Sequence, residues 1–93
     1  MLTHNKMLVI IKTTKSWELL FVNIKREKLI HLRKEKKLIQ KDVVLLLQKR
    51  YGIRITESYY GMIELGVRTP SLTIALAISE LFNTDPNHIF FNI

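Results

Sequence analysis

The spacing of hydrophobic residues changes once along the chain, near Ile24. Before this point, two apolar runs rich in β-branched and aromatic residues, at 7–11 and 17–22, flank a polar stretch. This pattern predicts two short strands joined as a β-hairpin. An isolated hairpin is marginal in water, so these strands would need to pack on the helices or on a second copy of the chain. A poorly ordered extension is the alternative.

After Ile24, apolar residues recur every three or four positions, which is the spacing of amphipathic helices. The pattern predicts an all-α domain of five short helices, at about 24–37, 40–50, 57–65, 72–82 and 86–90. The fourth is apolar over more than half of its circumference, which predicts burial on more than one side. Its apolar positions are Leu72, Ile74, Ala75, Leu76, Ile78, Leu81 and Phe82. The inward positions of the other helices are Ile24, Leu29, Leu32, Val43, Val44, Leu47, Tyr60, Ile63, Ile89 and Phe90.

Residues with known preferences for helix ends support these boundaries. The hydroxyl of Thr56 can accept a hydrogen bond from a free amide in the first turn of the third helix, and Ser71 or Thr69 can do so for the fourth. Gly52 and Gly66 suit the left-handed conformation that commonly ends a helix.

Positive charge is concentrated in one half of the helical region. The 93-residue chain has a formal net charge of +7. Residues 24–54 carry eleven Lys or Arg against three acidic residues, whereas 55–93 carry only Arg68 against four acidic residues. A basic half of this kind favours a polyanionic partner. We expect residues 1–23 to form an N-terminal extension and 24–93 to form the domain that binds this partner.

The residue types needed for catalysis or metal binding are sparse. The chain has no cysteine, and His4, His31 and His88 lack the spacing of a metal site. There is no nucleophile motif and no glycine-rich phosphate loop. We therefore expect neither an enzyme nor a cofactor. The apolar run at 7–11 is too short for a signal peptide or a membrane span, so a cytoplasmic protein without a membrane partner is expected.

Three motifs follow one another along the helical region: LxxLR at 29–33, LxQ at 38–40 and YYxxIExGxRxPSL at 59–72. In this order and spacing they resemble the phage-repressor and Cro-like family of helix-turn-helix proteins, the Xre-type regulators. The resemblance covers roughly residues 24–93 and does not extend to the hairpin region. It implies a five-helix, lambda-repressor-like DNA-binding domain preceded by the short extension.

The resemblance implies that the third helix lies in the major groove of double-stranded DNA. Glu57, Ser58 and Met62 would then face bases. Tyr59 would stand near a phosphate at the edge of the groove, and Thr56 belongs to the same surface. A glutamate can accept from cytosine N4, a serine can pair with several bases, and a methionine can contact a thymine methyl group. The alternative for Glu57 is an acidic residue stabilised by the positive end of the helix dipole.

Contacts with the DNA backbone are implied on both sides of this helix. Gln40 opens the second helix, where members of the family hold a phosphate, and Lys41 lies beside it. Arg68 follows the Gly66 turn and resembles the basic residue that grips the backbone beyond the third helix. The alternatives are an exposed glutamine without a role and a solvated loop arginine.

The resemblance assigns Arg33 and Glu64 to a largely buried ion pair rather than to DNA. The sequence also departs from the family pattern in two places. The segment 48–54 makes the connection to the third helix about five residues longer than the usual turn. Gly61 interrupts the third helix, where it would allow DNA or the neighbouring helix to approach closely.

These inferences predict a sequence-specific transcriptional regulator, in particular a repressor, that binds a pseudo-palindromic operator as a homodimer. The dimer would use the helical surface around Ile74, Ile78, Phe82 and Phe91, or else residues 7–22 as an exchanged arm. An antitoxin or partner-binding protein of a toxin–antitoxin or phage-regulatory module, built on the same fold, is the alternative. A helical domain without DNA activity is the third interpretation.

Overall fold

The chain forms two paired strands followed by a group of helices. The computed structural model describes residues 6–10, 19–23 and 25–91. Strands β1 (Lys6–Ile10) and β2 (Leu19–Asn23) pair antiparallel over five residues each. β1 overlaps the apolar run at 7–11, and β2 overlaps the run at 17–22. The segment between the two strands lies outside the described residues.

Five helices follow, as the hydrophobic spacing predicts. They are α1 (Glu27–Glu35), α2 (Gln40–Tyr51), α3 (Glu57–Glu64), α4 (Leu72–Leu81) and α5 (Asn87–Phe91). The last is a short π-helix, and the Asp85 carboxylate accepts a hydrogen bond from the Asn87 amide at 2.9 Å. α1 begins later than predicted, at Glu27, and Ile24 lies outside the described residues. The prediction of an all-α domain with five short helices is confirmed.

Hydroxyl side chains cap the N-terminal ends of α3 and α4. The Thr56 hydroxyl oxygen accepts a hydrogen bond from the Tyr59 amide at 3.0 Å. At the start of α4, the hydroxyl of Ser71 accepts from the Ile74 amide at 3.3 Å, so Ser71 rather than Thr69 is the cap. Each cap satisfies an amide that has no partner within its own helix.

The connection between α2 and α3 begins after Tyr51, because α2 continues one residue beyond its predicted end. Gly52 then adopts a left-handed conformation, with φ of 68°, and its amide donates to a carbonyl of the last turn at 3.0 Å. In the remaining connector, residues 52–56, Ile53 and Ile55 are half-buried against the core. The segment 48–54 is therefore helical as far as Tyr51 and forms a packed loop beyond it.

One hydrophobic core joins the five helices. Its buried members are Leu29, Val43, Leu47, Tyr60, Ile63, Ala75, Ala77, Ile78, Leu81, Phe82, Ile89 and Phe90. Leu32 and Val44 pack against this core but are only half-buried. The buried residues of α4 cover more than half of its circumference, and only Leu72 and Leu76 among its large apolar residues are exposed, at 62 % and 47 %. Apolar residues remain at the surface because five short helices cannot cover every side of α4.

The predicted dimer surface on the helices is wrong in two of its residues. Ile78 is fully buried and Phe82 is 3 % exposed, and both belong to the core of a single chain. Ile74 and Phe91 are half-buried beside them. A second copy cannot contact Ile78 or Phe82 without opening the core.

Candidate nucleic-acid interface

The N-terminal end of α3 faces solvent. Tyr60 and Ile63 are fully buried and fix the inward face of the helix. Glu57 and Ser58 are exposed, and Met62 is half-buried. Because Ser58 and Met62 are four residues apart, they lie on the same side of the helix. Three of the predicted base-reading residues therefore belong to the solvent-facing part of one short helix.

Two further residues of the predicted interface lie beside this face. Tyr59 is half-buried and packs against the core. Thr56 is exposed, but its hydroxyl oxygen caps α3 by accepting from the Tyr59 amide. Thr56 thus contributes first to the geometry of the helix start, and its hydroxyl hydrogen remains able to donate outward.

The start of α2 meets α3 through the side chain of Gln40. This half-buried side chain donates from Nε2 to Glu64 Oε1 at 2.9 Å. Its Oε1 atom lies 3.3 Å from the point where a Cβ atom would stand at Gly61. The glycine that interrupts α3 therefore makes room for Gln40. The neighbouring Lys41 is exposed.

An ion pair links α1 to the end of α3. Arg33 Nε donates to Glu64 Oε2 at 2.6 Å, and Nη2 donates to Oε1 at 3.1 Å. The side chain of Arg33 is 12 % exposed and that of Glu64 is 2 % exposed. Arg33 Nη1 also donates to the Leu38 carbonyl at 3.0 Å, in the turn before α2. The hydrogen bond with Glu64 raises the pKa of Arg33, and burial opposes this shift.

Glu64 thus accepts hydrogen bonds from two helices at once. Arg33 on α1 and Gln40 on α2 both donate to its carboxylate, which lies at the C-terminal end of α3. Buried charges are tolerated only when they are paired and hydrogen-bonded, and Glu64 meets both conditions. We call these three residues the Glu64 network. It fixes the relative position of α2 and α3.

Tyr60 lies next to this network in the core. Its side chain is fully buried, and its hydroxyl has no hydrogen-bond partner among the described residues. Burial raises the pKa of the Tyr60 phenol, and the nearby Glu64 carboxylate adds to the shift. The phenol therefore stays protonated at any physiological pH.

Arg68 projects from the loop that follows α3. Gly66 turns the chain with φ of 78°, and the amides of Val67 and Arg68 both donate to the Met62 carbonyl, at 2.9 and 3.2 Å. The Arg68 carbonyl accepts from Arg26 Nη1 at 3.0 Å. The Arg68 side chain is exposed, so its guanidinium reaches solvent from a backbone that is held by hydrogen bonds.

Arg26 is the residue that the sequence interpretation missed. It counts among the basic residues of 24–54, yet it is only 3 % exposed. Its Nη1 atom donates to the carbonyls of Ile63 and Arg68, and its guanidinium lies 5.2 Å from the centre of the Phe90 ring. The spacing contains a signal for this burial, because residue 26 precedes the buried Leu29 by three positions and shares its side of the helix.

The exposed positive charge lies on the elements around α3 rather than on α3 itself. With Arg26 and Arg33 internal, nine of the eleven basic residues of 24–54 remain exposed. They are Lys25, Lys28, Lys34, Lys36, Lys37, Lys41, Lys49, Arg50 and Arg54. α3 itself has no basic residue and places Glu57 at its exposed end. Such charges attract a phosphate backbone.

Other chemistry has little support in the part of the chain that the structure describes. No three His, Cys, Asp or Glu side chains there lie together as metal ligands. His31 lies 3.2 Å from Glu35 one helical turn away, and His88 is exposed on α5. None of the helices in the described ranges has the length and apolar character of a membrane span.

Two helices, α2 and α3, are therefore held together by a shared core and by the Glu64 network, and the second of them presents its N-terminal end to solvent. This arrangement defines a helix-turn-helix domain, the class in which the second helix enters the major groove. A model of the helix-turn-helix family matches residues 29–89. The chain belongs to this family, in its lambda-repressor-like form, and its kind of function is DNA-binding transcription regulation. Neither curated proteins nor solved structures give a match.

Proposed function

We propose that this protein is a sequence-specific transcriptional repressor that reads bases with the exposed face of α3. The observation that carries the proposal is the division of α3 into a free end with Glu57 and Ser58 and a fixed end with Glu64. A helix that is immobile at one end and solvent-exposed at the other can enter the major groove without rearrangement. Repression follows when the bound protein occupies a promoter.

The base contacts assigned to the exposed face of α3 follow from side-chain chemistry. Glu57 would accept from cytosine N4, Ser58 would donate to or accept from a base edge, and Met62 would contact a thymine methyl group. Each good contact contributes about 1 to 3 kcal/mol of discrimination between bases. Since the dipole of α3 also stabilises Glu57 where it stands, its contact with DNA is the weakest of the three assignments.

The phosphate contacts are assigned to residues on either side of α3. Arg68 and Lys41 are exposed cations, and Tyr59 lies at the edge of the exposed face. Gln40 keeps one hydrogen of Nε2 on Glu64 and has a second one available for a phosphate. The free amides of the first turn of α2 would complete the phosphate site.

We further propose that two copies bind a pseudo-palindromic operator with half-sites about one helical turn apart. Because Ile78 and Phe82 are internal, the contact between copies must use other residues, such as those of the N-terminal strands. A regulator of this kind acts in the cytoplasm, where its operator is.

The decisive experiment is selection of bound fragments from sheared genomic DNA by the purified protein, followed by competition with random duplex of equal length. We expect enrichment of a site with approximate two-fold symmetry, bound roughly a thousandfold more tightly than random DNA. The mass of the protein–DNA complex should correspond to two chains per site. Equal affinity for selected and random duplexes would contradict sequence-specific regulation.

A partner-binding role, as in an antitoxin, is the second candidate because α4 leaves an apolar groove uncovered. Leu76 and Ala77 line this groove together with Tyr51 and Ile53, and Leu72 lies one turn from Leu76 on the same helix. A protein that copurifies in equal amount from the native host, and is lost after Leu76→Asp, would support this role. Such a result is compatible with DNA binding, since none of the residues that line the groove belongs to α3.

A further inference from the structure

Arg26 contacts the end of α3 through both its backbone and its side chain. Its amide donates to the Glu64 carbonyl at 2.8 Å. Its Nη1 atom donates to the carbonyls of Ile63 and, at 3.0 Å, of Arg68. The last carbonyls of a helix have no partner within the helix and carry partial negative charge. Arg26 therefore caps the C-terminus of α3 from outside that helix.

The charge of Arg26 is not used in an ion pair with a described carboxylate. The guanidinium lies over the Phe90 ring, and its Nε and Nη2 atoms have no hydrogen-bond partner among the described residues. Burial lowers the pKa of Arg26 to about 10, which leaves the group charged at neutral pH. A buried cation without a carboxylate is unfavourable unless other groups stabilise it. Here the stabilising groups are the ring of Phe90 and the carbonyls at the end of α3.

The same contacts fix the loop that carries Arg68. The Arg68 amide is held by the Met62 carbonyl, and the Arg68 carbonyl is held by Arg26. Only the Arg68 side chain extends into solvent. A residue whose backbone is already ordered loses less conformational freedom when it binds a ligand.

Building on the proposed function, we propose that Arg26 is a positioning residue for DNA binding. It anchors the backbone of Arg68 to the end of α3, and the Arg68 side chain then meets a phosphate at a fixed distance from the base-reading residues. Arg26 itself does not touch DNA, because it is buried. Arg26 therefore affects the affinity for DNA only by holding Arg68 in position.

The test measures the affinity of wild type, Arg26→Met, Arg68→Ala and the double variant for one selected duplex of about 30 bp, which spans two half-sites. Methionine keeps an apolar stem against Phe90 and removes the donors. Lys28→Met is the matched control, since it removes an exposed charge from the same end of α1. Circular dichroism at the assay temperature confirms that each variant is folded.

We expect Arg68→Ala to weaken binding about threefold to tenfold and to reduce the slope of log affinity against log salt by about 0.9, the value for one phosphate contact. Arg26→Met should weaken binding to a similar extent and also reduce the slope, whereas Lys28→Met should change the affinity less. In the Arg68→Ala background, Arg26→Met should have little further effect. Equal losses in both backgrounds, or an unchanged slope in folded Arg26→Met, would overturn the proposal.

Nitrogen-15 relaxation of the wild-type protein provides a second arm that needs no variant. Order parameters near about 0.85 for the Val67 and Arg68 amides would show the anchored loop, and values below about 0.6 would overturn the proposal. If Arg26→Met does not fold, the relaxation measurement decides the question. Arg26→Lys then replaces Arg26→Met in the affinity measurements. If wild type binds no selected duplex, the proposed function fails as well. If wild type binds and only the coupling is missing, the role of Arg26 alone fails.

Discussion

The two ends of α3 differ in almost every physical respect. At the N-terminal end, Glu57 and Ser58 are exposed, and their side chains make no hydrogen bond within the described residues. At the C-terminal end, almost two turns further on, Glu64 is buried and accepts from Arg33 and Gln40. A helix of eight residues thus has one end that is fixed by its scaffold and one end that is free for a partner.

This difference separates the residues that hold the helix from those that would read DNA. Precise recognition needs side chains on a rigid support, and the Glu64 network supplies that support from the far end of the same helix. Changes at the C-terminal end should therefore act on stability. Changes at the N-terminal end should act on the choice of DNA sequence.

The largest effect is expected from Glu64→Ala. This change leaves the nearly buried Arg33 without its carboxylate, and loss of one partner of a buried pair costs about 3 to 5 kcal/mol of unfolding free energy. Urea unfolding measures it. The matched control is Glu57→Ala, which removes the same charge from the free end and should cost below about 1 kcal/mol. Similar losses for the two glutamates would remove the proposed difference between the ends.

The next largest effect is expected on the preference for DNA sequence, and it tests the residues at the free end of α3. Ser58→Ala should change the binding free-energy difference between the preferred base and the other bases at one operator position by about 1 to 3 kcal/mol. The unfolding free energy should stay within about 0.5 kcal/mol of wild type. Competition with duplexes that differ by single base pairs measures the preference. Arg68→Ala is the comparison, because loss of a phosphate contact weakens all sequences alike. If Ser58→Ala also weakened every duplex equally, Ser58 would not read a base.

The sequence predicts the fixed core better than it predicts the polar contacts. Val43, Leu47, Tyr60 and Ile63 are recognisable because their spacing along each helix depends only on local geometry. The helix caps are equally local, and Thr56 was identifiable for that reason. The five-helix domain could therefore be predicted from the order of short-range signals.

Contacts between distant residues could not be predicted from such signals alone. By sequence, Arg26 belongs to the basic half of the helical region, yet it is buried against carbonyls that lie 37 and 42 residues away along the chain. The family resemblance implies that Gln40 holds a phosphate, but its position also depends on the space beside Gly61. The base-reading role of the free end of α3 stays a prediction, since it requires a partner that the chain does not contain.

Gly61→Ala tests the fixed end with a smaller change. Alanine in a helix is favoured over glycine by about 1 kcal/mol, but the new Cβ would lie 3.3 Å from Gln40 Oε1. Because Gln40 is held by Glu64, it cannot yield freely, and we expect little or no net gain in stability. In a Gln40→Ala background the same change should stabilise the protein by the full value of about 1 kcal/mol. Equal effects in both backgrounds, measured by urea unfolding, would show that Gln40 does not constrain Gly61.

At neutral pH, Tyr60→Phe should have the smallest effect on the unfolding free energy. It tests whether the fixed end of α3 needs the Tyr60 hydroxyl for its stability. The Tyr60 hydroxyl is buried without a partner among the described residues, so its removal should be neutral or stabilising by about 1 kcal/mol. The variant should differ from wild type more at alkaline pH. Burial raises the pKa of Tyr60 in the folded state, so above about pH 10 the unfolded chain releases a proton that the folded chain retains.

Wild type should therefore lose stability relative to Tyr60→Phe by about 1.4 kcal/mol for each pH unit above about 10. Arg26 titrates in the same range with the opposite sign, because burial lowers its pKa to about 10 and the folded chain releases its proton first. Both proteins contain Arg26, so the difference between their urea unfolding curves at pH 8 and at about pH 11 isolates Tyr60. A difference that does not change with pH would mean that the Tyr60 phenol ionises equally well in the folded and unfolded chains, and that the fixed end of α3 is open to water.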